Sequence, residues 1–489
     1  MRKGSAYEAF LKKKVQLDEG CGFDVPREEV NPILKPHQID SVLWAVRGGR
    51  RAVFSSFGLG KTLTQLEIVR LILKYSGGGR GLIVVPLNVR GEFKRDAGLL
   101  GLKVTFVRSH EDAAADGIYL TNYESVRDGK FNPAGFKVVS LDEGSILRGL
   151  GGTKTFREFM RLYEGSSTYR FVATATPSPN EYIELLAYAA FLGIMDVGQA
   201  KTRFFKRNSE KADQLTIHPH KEREFWLWIA SWALFVQRPS DLGHSDDGYQ
   251  LPPLDIRWHE IPTDHASAGQ EKDGQRRLLR EAALGVVDAS REKRDSLGGR
   301  IRKLMEIRAE DPKAHRILWH DLEAERAALE ASIPTAVSIY GTQDLEDREQ
   351  AIADFSNGKI QELSAKPIIA GSGCNFQRHC SWAIFLGIGF KFNDLIQAIH
   401  RIQRFLQTKP VRIDFIYTEA EREIRKQLER KWVQHNELVA NMTSIIREYG
   451  LSSAAMAGSL TGLLGSSGAK RAARAGPWRT TTASTRPRA

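Results

Sequence analysis

The sequence predicts an α/β protein with two domains of similar architecture, each built around a parallel β-sheet. Short apolar segments alternate with helix-like segments in two stretches, from about residue 34 to 192 and from about residue 316 to 432. Several apolar segments are continuous rather than alternating, which is typical of strands buried on both faces of a parallel sheet. A chain of 489 residues is also too long for a single core.

The candidate strands divide between the two stretches. Those of the first stretch lie at 52–54, 81–85, 104–107, 117–120, 137–141 and 170–173. Those of the second lie at 317–319, 336–340, 366–369, 382–386 and 412–417, with helices expected at 322–331 and 419–432. Strands that alternate with helices indicate a doubly wound arrangement in each stretch.

The predicted domain organisation has five segments. They are a lead-in (1–30), a first lobe with an aromatic helical extension (31–250), a linker and charged helical insertion (251–312), a second lobe (313–440) and a flexible basic tail (441–489). The aromatic residues between 200 and 260 have the spacing of a buried helix, so we expect core packing rather than base stacking. Charges of alternating sign over 264–311 predict solvated helices. The Ser-, Gly- and Arg-rich end predicts disorder.

The charge balance predicts a polyanionic partner. The formal net charge is +12, with 71 lysines and arginines against 59 acidic residues, and such a surplus favours nucleic acid, although the basic end carries part of it. The three cysteines have no metal-ligand spacing and indicate a reducing compartment. No secretory signal is visible, and the longest apolar run, near 187–195, is too short for a bilayer. We therefore expect a cytoplasmic protein without a membrane partner.

A glycine-rich turn at 57–62 predicts a phosphate-binding loop. It follows an apolar segment and leads into a helix-like segment at 63–73. Glycines let backbone N–H groups approach phosphates, and the start of a helix adds partial positive charge. Lys61 would reach the outer phosphates, and the Thr62 hydroxyl would hold Mg²⁺.

Two acidic residues, Asp142 and Glu143, follow the apolar strand at 137–141. The carboxyl end of a parallel strand is where such sheets bind ligands. Asp142 is therefore a candidate ligand of Mg²⁺ through water, and Glu143 is a candidate base for the attacking water. An isolated Asp-Glu pair is usually an ordinary loop, so this interpretation depends on the phosphate loop upstream.

Two further segments carry candidate residues. Thr174 and Thr176 end the next strand, where their hydroxyls could link the carboxylates to a nucleic-acid site or simply close the strand in a Thr-Pro turn. The segment 397–404 reads as a helix on which Arg401 and Arg404 share one face. Paired arginines from a second domain can stabilise the charge of a transferring phosphate.

In this order the segments resemble the motifs of superfamily-two helicases and translocases (DEAD/DEAH-box-like), and among these the Swi/Snf type. The resemblance covers about residues 34–432, and 142–148 and 174–180 are similar to helicases encoded by phages and prophages. It implies two RecA-like (P-loop NTPase) lobes with ATP and Mg²⁺ in the cleft between them. The compartment would then be the cytoplasm of a bacterial host or of a phage-infected cell.

The resemblance also implies roles for single residues. It makes Gln38 the reader of adenine, and the further nucleotide-binding residues would be Gly58, Leu59, Gly60, Lys61, Thr62, Asp142 and Gly373. The implied metal ligands are Thr62 and Asp142, and the implied catalytic residues are Lys61, Glu143, Arg401 and Arg404. The implied nucleic-acid contacts are Pro86, Thr174, Thr176 and Lys366. The chain departs from the family at Ser145, where His is usual, and at Leu406, where Gly is common.

The combined motifs predict an ATP hydrolase that acts as a helicase or translocase, with DNA favoured over RNA as its track and a monomer plausible. Three alternatives stay open: a DNA-stimulated duplex translocase that does not separate strands, a nucleic-acid-binding scaffold with a silent motor, and another P-loop enzyme such as a nucleotide kinase. The intact residues Lys61, Asp142 and Glu143 disfavour the scaffold. A kinase would leave the motifs of the second domain unexplained.

Overall fold

The computed structural model describes residues 20–113, 115–132, 135–147, 153–163, 168–177, 181–207, 215–263, 286–370 and 374–451. Within them, one seven-stranded and one six-stranded parallel sheet form the centres of two lobes. This confirms the predicted fold class, two α/β lobes of the RecA-like kind. The tail predicted to be disordered lies outside the described residues from 452 onwards, as does most of the lead-in.

Lobe one is built on the seven-stranded sheet. Its strands, with a separate antiparallel ribbon of β7 and β8, are β1 (Arg50–Ser55), β2 (Arg80–Val85), β3 (Val104–Phe106), β4 (Gly117–Asn122), β5 (Val138–Asp142), β6 (Tyr169–Ala173), β7 (Phe205–Arg207), β8 (Leu215–Ile217) and β9 (Ala233–Val236). Its helices are α1 (Pro36–Gly48), α2 (Lys61–Tyr75), α3 (Arg90–Leu99), α4 (Tyr123–Arg127), α5 (Lys154–Tyr163), α6 (Leu185–Leu192), α7 (Val197–Phe204) and α8 (Glu222–Trp232).

The strand order of this sheet brings the predicted motifs together. The strands lie in the order β3-β4-β2-β5-β6-β1-β9, and all neighbours run parallel. The carboxyl ends of β1, β6 and β5 are therefore side by side at one edge of the sheet. The phosphate loop, the threonines after β6 and the two acids after β5 follow those ends.

Lobe two is built on the six-stranded sheet, in the order β10-β15-β14-β11-β13-β12. Its elements are β10 (Leu254–Ile261), α9 (Val286–Asp295), α10 (Leu297–Ala309), β11 (Arg316–Trp319), α11 (Glu323–Ser332), β12 (Val337–Ile339), α12 (Leu345–Ser356), β13 (Glu362–Ala365), α13 (Pro367–Ala370), β14 (Trp382–Phe385), α14 (Phe392–Ile399), β15 (Val411–Thr418) and α15 (Arg422–Tyr449). Among the described residues, no helix is long and apolar enough to cross a membrane.

The segment expected to be a linker and solvated insertion contributes to lobe two. Its strand β10 pairs with β15 along its whole length, and Leu254, Ile256 and Trp258 pack against the core of the lobe. The helix α10 buries Leu304 and Ile307. Residues 264–285, in the middle of this segment, lie outside the described residues.

A strand predicted at 366–369 is wrong. The strand β13 ends at Ala365, and the helix α13 begins at Pro367. Proline has no N–H to donate to a strand ladder, whereas its fixed φ suits the first turn of a helix. The apolar residues that suggested a strand therefore continue as a short helix.

The aromatic extension belongs to the core, as expected. The rings of Phe204 and Trp228 stack with 5.0 Å between centroids, and Phe225, Trp228 and Trp232 are all buried. The chain then continues directly into β9, which pairs with β1. This strand escaped prediction because the apolar run of α8 continues into it without a break.

The last described helix, α15, connects the lobes and continues past residue 440, where a flexible tail was expected. Its first half buries Ile424 and Leu428 in the core of lobe two. Its second half buries Leu438 and Met442 in the core of lobe one. Apolar residues at helical spacing in both halves explain why the helix stays ordered to Tyr449.

Candidate active site

The turn between β1 and α2 has the geometry of a phosphate-binding loop. Gly58 and Gly60 adopt left-handed φ angles of 85° and 72°, which other residues adopt only at a cost. A Cβ atom on Gly58 would lie 2.8 Å from the backbone nitrogen of Phe405, and one on Gly60 would lie 2.1 Å from Nε2 of Gln38. Gly58 is therefore favoured by conformation and by space, whereas at Gly60 the conformation favours glycine and a side chain would displace the amide of Gln38.

Lys61 is the first residue of α2, and its ammonium group lies within the loop. Its Nζ atom donates to the carbonyl of Ser55 at 3.3 Å and is 5.2 Å from the centre of the Phe57 ring. Burial lowers the pKa of Lys61, while the carboxylates of Glu143 and Asp142 oppose that shift. A bound phosphate would favour the charged form further.

Gln38, predicted to read adenine, braces the phosphate loop. Its Oε1 accepts from the Lys35 N–H at 2.7 Å. Its Nε2 donates to the carbonyls of Leu59 and Gly60 at 3.2 and 3.3 Å. Both ends of the amide are thus bonded to backbone, so reading a base would require an exchange of partners.

The two acids after β5 are held by different groups. Oδ1 of Asp142 accepts from Nε2 of Gln65 at 2.8 Å. Oε2 of Glu143 accepts from Oγ1 of Thr174 and from Nε2 of Gln397, both at 3.1 Å. Glu143 has a φ of 50°. This backbone conformation is uncommon for residues other than glycine and is often found at functional sites. Lobe two, which carries Gln397, therefore contacts the candidate base directly.

The residues present fit a magnesium ion. Thr62 and Asp142 line one cavity, and hydroxyl and carboxylate oxygens are the ligands that Mg²⁺ prefers. Burial, and then the neighbouring Glu143, raise the pKa of Asp142 to about 7. A cation at this position would favour the ionised carboxylate.

The arginines do not lie on a helix, which corrects the prediction for 397–404. The helix α14 ends at Ile399, and Arg401 and Arg404 follow in the next turns. Nη1 of each donates to the carbonyl of Cys374, at 3.2 Å for Arg401 and 3.4 Å for Arg404. The shared carbonyl, rather than helical spacing, brings the two guanidinium groups together, and both line the cavity with Lys61.

Leu406, where the sequence departs from the motif that it resembles, has a φ of 71° and is half exposed. Left-handed backbone costs a residue with a side chain about 1–2 kcal/mol, and glycine loses about 0.5–1 kcal/mol through its freedom in the unfolded chain. We expect Leu406→Gly to raise the free energy of unfolding by about 0.5–1 kcal/mol, measured by chemical denaturation. Leu406→Ala is the control, because it removes the exposed side chain and keeps the strain. A lower stability of Leu406→Gly than of Leu406→Ala would contradict this explanation.

Thr174 and Thr176 face the interior rather than a surface. Both are fully buried. Oγ1 of Thr174 donates a hydrogen bond to Glu143, and Oγ1 of Thr176 donates to Oδ1 of Asn393 at 2.5 Å. The Thr176 N–H donates to Oγ1 of Thr174 at 3.1 Å, so the two threonines connect Glu143 to Asn393 of lobe two.

The other predicted nucleic-acid contacts lie at open cavities. Pro86 lines a cavity of about 450 Å³ between the lobes, together with Glu143 and Gln397. Nζ of Lys366 donates to Oε1 of Glu323 at 2.5 Å, beside a cavity at the carboxyl ends of the lobe-two strands. Gly373 lies outside the described residues.

Sequence reasoning missed several residues of the site. Gln65 contacts Asp142, Gln397 contacts Glu143, and Asn393 contacts Thr176. Gln397 begins the segment that carries the arginines, which is the one signal that could have found it. For Gln65 and Asn393 the sequence offers no comparable signal.

No protein-family model matches this chain, and no curated protein matches it in sequence. Among solved structures, the SWI2/SNF2 ATPase core of Sulfolobus solfataricus, in complex with double-stranded DNA, is similar to it. The two are 18% identical, the match covers 87% of this chain and 97% of that chain, and the TM-score is 0.40. Any function therefore rests on the residues of the site.

Proposed function

We propose that this protein is an ATP-dependent motor that hydrolyses ATP between its lobes and moves along nucleic acid. One observation carries the proposal: Lys61, Asp142 and Glu143 of lobe one line the same cavity as Arg401 and Arg404 of lobe two. Phosphoryl transfer is accelerated mainly by positioning and charge stabilisation. A phosphate-holding lysine, a metal-binding carboxylate, a base and paired arginines are the groups that this reaction needs.

Each residue has one task in the proposed reaction. The phosphate loop and Lys61 hold the phosphates. Thr62 and Asp142 would bind Mg²⁺, which supplies positive charge to the phosphate oxygens. Glu143 accepts a proton from the attacking water. The two arginines stabilise the negative charge on the phosphate that is transferred.

The contacts between the lobes support a cycle of opening and closing. The cavity measures about 70 Å³, whereas pockets for molecules of ligand size occupy about 300–1,000 Å³. The cavity must therefore widen to admit ATP, and separation of the lobes that line it would widen it. Opening would break the hydrogen bond from Gln397 to Glu143, and closing would restore it. The hydrogen bonding of the candidate base would therefore change with the position of lobe two.

We further propose DNA as the track, on the strength of the net charge of +12. Contacts to its phosphate backbone would carry no sequence information. Pro86 and Lys366 are the candidate contacts. A strand-displacement assay beside a triplex-displacement assay separates the two forms of motor. Displacement of the third strand alone would favour a duplex translocase, and separation of the duplex would favour a helicase.

ATP hydrolysis by the purified protein, with no polymer, single-stranded DNA, duplex DNA or RNA, tests the proposal. We expect strong stimulation by one polymer and a loss of about 10²–10⁴-fold in Glu143→Gln, the usual contribution of a general base. The amide is a matched replacement because its oxygen can still accept a hydrogen bond from Thr174. A wild-type rate in Lys61→Ala would contradict the site assignment. Absence of hydrolysis with every polymer would favour the silent scaffold.

A further inference from the structure

We infer that Gln65 is a positioning residue of the metal site: its amide holds one oxygen of Asp142 so that the other oxygen is presented to Mg²⁺, and Ser140 holds the amide oxygen in place. The inference rests on the proposed function, because it takes Asp142 as the ligand of the ion. It concerns residues to which neither the motifs nor the comparison assigns a role.

The three side chains form a buried chain of hydrogen bonds. Oγ of Ser140 donates to Oε1 of Gln65 at 2.8 Å, and Nε2 of Gln65 donates to Oδ1 of Asp142 at 2.8 Å. The exposed fractions are 0% for Ser140, 2% for Gln65 and 7% for Asp142. Since water hardly competes there, these bonds are stronger and better directed than they would be at the surface.

The direction of the amide follows from the donors and acceptors available. The NH₂ group of Gln65 faces Asp142 and its oxygen faces Ser140, which is the orientation that an ionised carboxylate, an acceptor only, requires. A serine hydroxyl can turn to donate, and Ser140 does so toward that oxygen. Rotating the amide by half a turn would set its oxygen against the carboxylate of Asp142. The carboxylate therefore selects the orientation of the amide, and the hydrogen bond from Ser140 holds the amide oxygen in place.

The helix α2 connects the hydrogen bonds among Ser140, Gln65 and Asp142 to the phosphate loop. Thr62, the other candidate ligand, and Gln65 are three positions apart, so both lie on the same face of α2. The helix thus supplies one ligand itself and holds the second through Gln65. The backbone carbonyl of Asp142 is fixed as well, because the Tyr123 hydroxyl donates to it at 2.5 Å. One carboxylate oxygen is left for the ion, in keeping with the few protein ligands and near-ideal geometry that Mg²⁺ demands.

Partners that orient a metal ligand typically contribute 10–100-fold to metal affinity. In Gln65→Met, which keeps much of the side-chain volume and loses the amide, we expect the Mg²⁺ concentration for half-maximal tightening of nucleotide binding to rise about 10-fold or more. Binding of a fluorescent ATP analogue in EDTA should stay within about twofold of wild type. Weaker binding with Mg²⁺ and unchanged binding in EDTA would indicate a role at the metal, because a general loss of structure would weaken binding under both conditions.

The experiment measures binding of the fluorescent analogue in EDTA and across a Mg²⁺ titration, for the wild type, Gln65→Met, Ser140→Ala and Ile68→Val. Ser140→Ala should shift the Mg²⁺ requirement in the same direction by less, and it decides the matter if Gln65→Met does not fold. Ile68→Val, a buried change on the same helix, should leave the requirement unchanged. An unchanged requirement in both Gln65→Met and Ser140→Ala would overturn the inference, as would equal weakening in EDTA and in Mg²⁺. If the wild type bound no nucleotide, the proposed function itself would fail, and this inference with it.

Discussion

Replacing Arg404 with alanine should slow ATP hydrolysis by about 10³-fold or more, the range known for arginines that act on a transferring phosphate. Its guanidinium lines the cavity opposite Lys61. Burial, and then the adjacent Arg401, lower the pKa of Arg404 to about 10, so it remains a cation at neutral pH. Its hydrogen bond to the carbonyl of Cys374, at 3.4 Å, is long, and redirecting the side chain toward a phosphate would cost little. The unfolding temperature of Arg404→Ala should therefore stay close to that of the wild type.

Arg401→Ala should differ from Arg404→Ala in its effect on stability. This arginine donates to the carbonyls of Gln397 and Cys374 and is 5% exposed, so its loss should lower both the rate and the unfolding temperature. Single-turnover hydrolysis with saturating polymer, beside thermal unfolding of both variants, measures the two effects. Arg404→Lys keeps the charge without the planar fork and should recover only part of the rate. A wild-type rate in Arg404→Ala would remove lobe two from the proposed chemistry.

The sequence predicts the part of the site that lobe one builds by itself. Continuous apolar segments mark β1 and β5, and in a parallel sheet the residues that follow such strands meet at one edge. The position of the phosphate loop beside Asp142 therefore follows from local patterns. The same reasoning does not reach β10, an edge strand whose charged and apolar residues alternate beside a Pro-Pro pair that resembles a linker.

The contacts across the lobes could not be predicted in this way. Glu143 and Gln397 are 254 positions apart, and Thr176 and Asn393 are 217 apart. No periodicity relates such residues, because their meeting depends on how two complete lobes pack. The positions of Arg401 and Arg404 could not be predicted for the same reason. Their spacing predicted one helix, whereas α14 ends before them, and both donate hydrogen bonds to the carbonyl of Cys374, which is distant in the sequence.

The second large effect concerns the stability of lobe two. Arg300 is fully buried and donates to Oε2 of Glu421 at 2.7 Å and to the carbonyls of Leu386 and Ile416 at 3.1 Å. It thereby joins α10 to the ends of β14 and β15. Arg300→Met should lower the free energy of unfolding by about 3–5 kcal/mol, because it leaves the carboxylate of Glu421 buried without its counter-charge. Urea unfolding measures the loss, and hydrogen exchange of the β14 and β15 amides locates it in lobe two.

A second substitution separates charge from packing in this pair. Glu421→Gln removes the charge but keeps an oxygen that can accept from the Thr418 N–H, as Oε2 of Glu421 does at 2.9 Å. If the unpaired charge dominates, Arg300→Met combined with Glu421→Gln should be clearly more stable than Arg300→Met alone, since replacing both members of a buried pair is often nearly neutral. The double-mutant cycle gives the coupling between the two residues directly. A double variant as unstable as the single one would mean that the hydrogen bonds from Arg300 to the two strand ends, rather than its ion pair, hold this side of the lobe together.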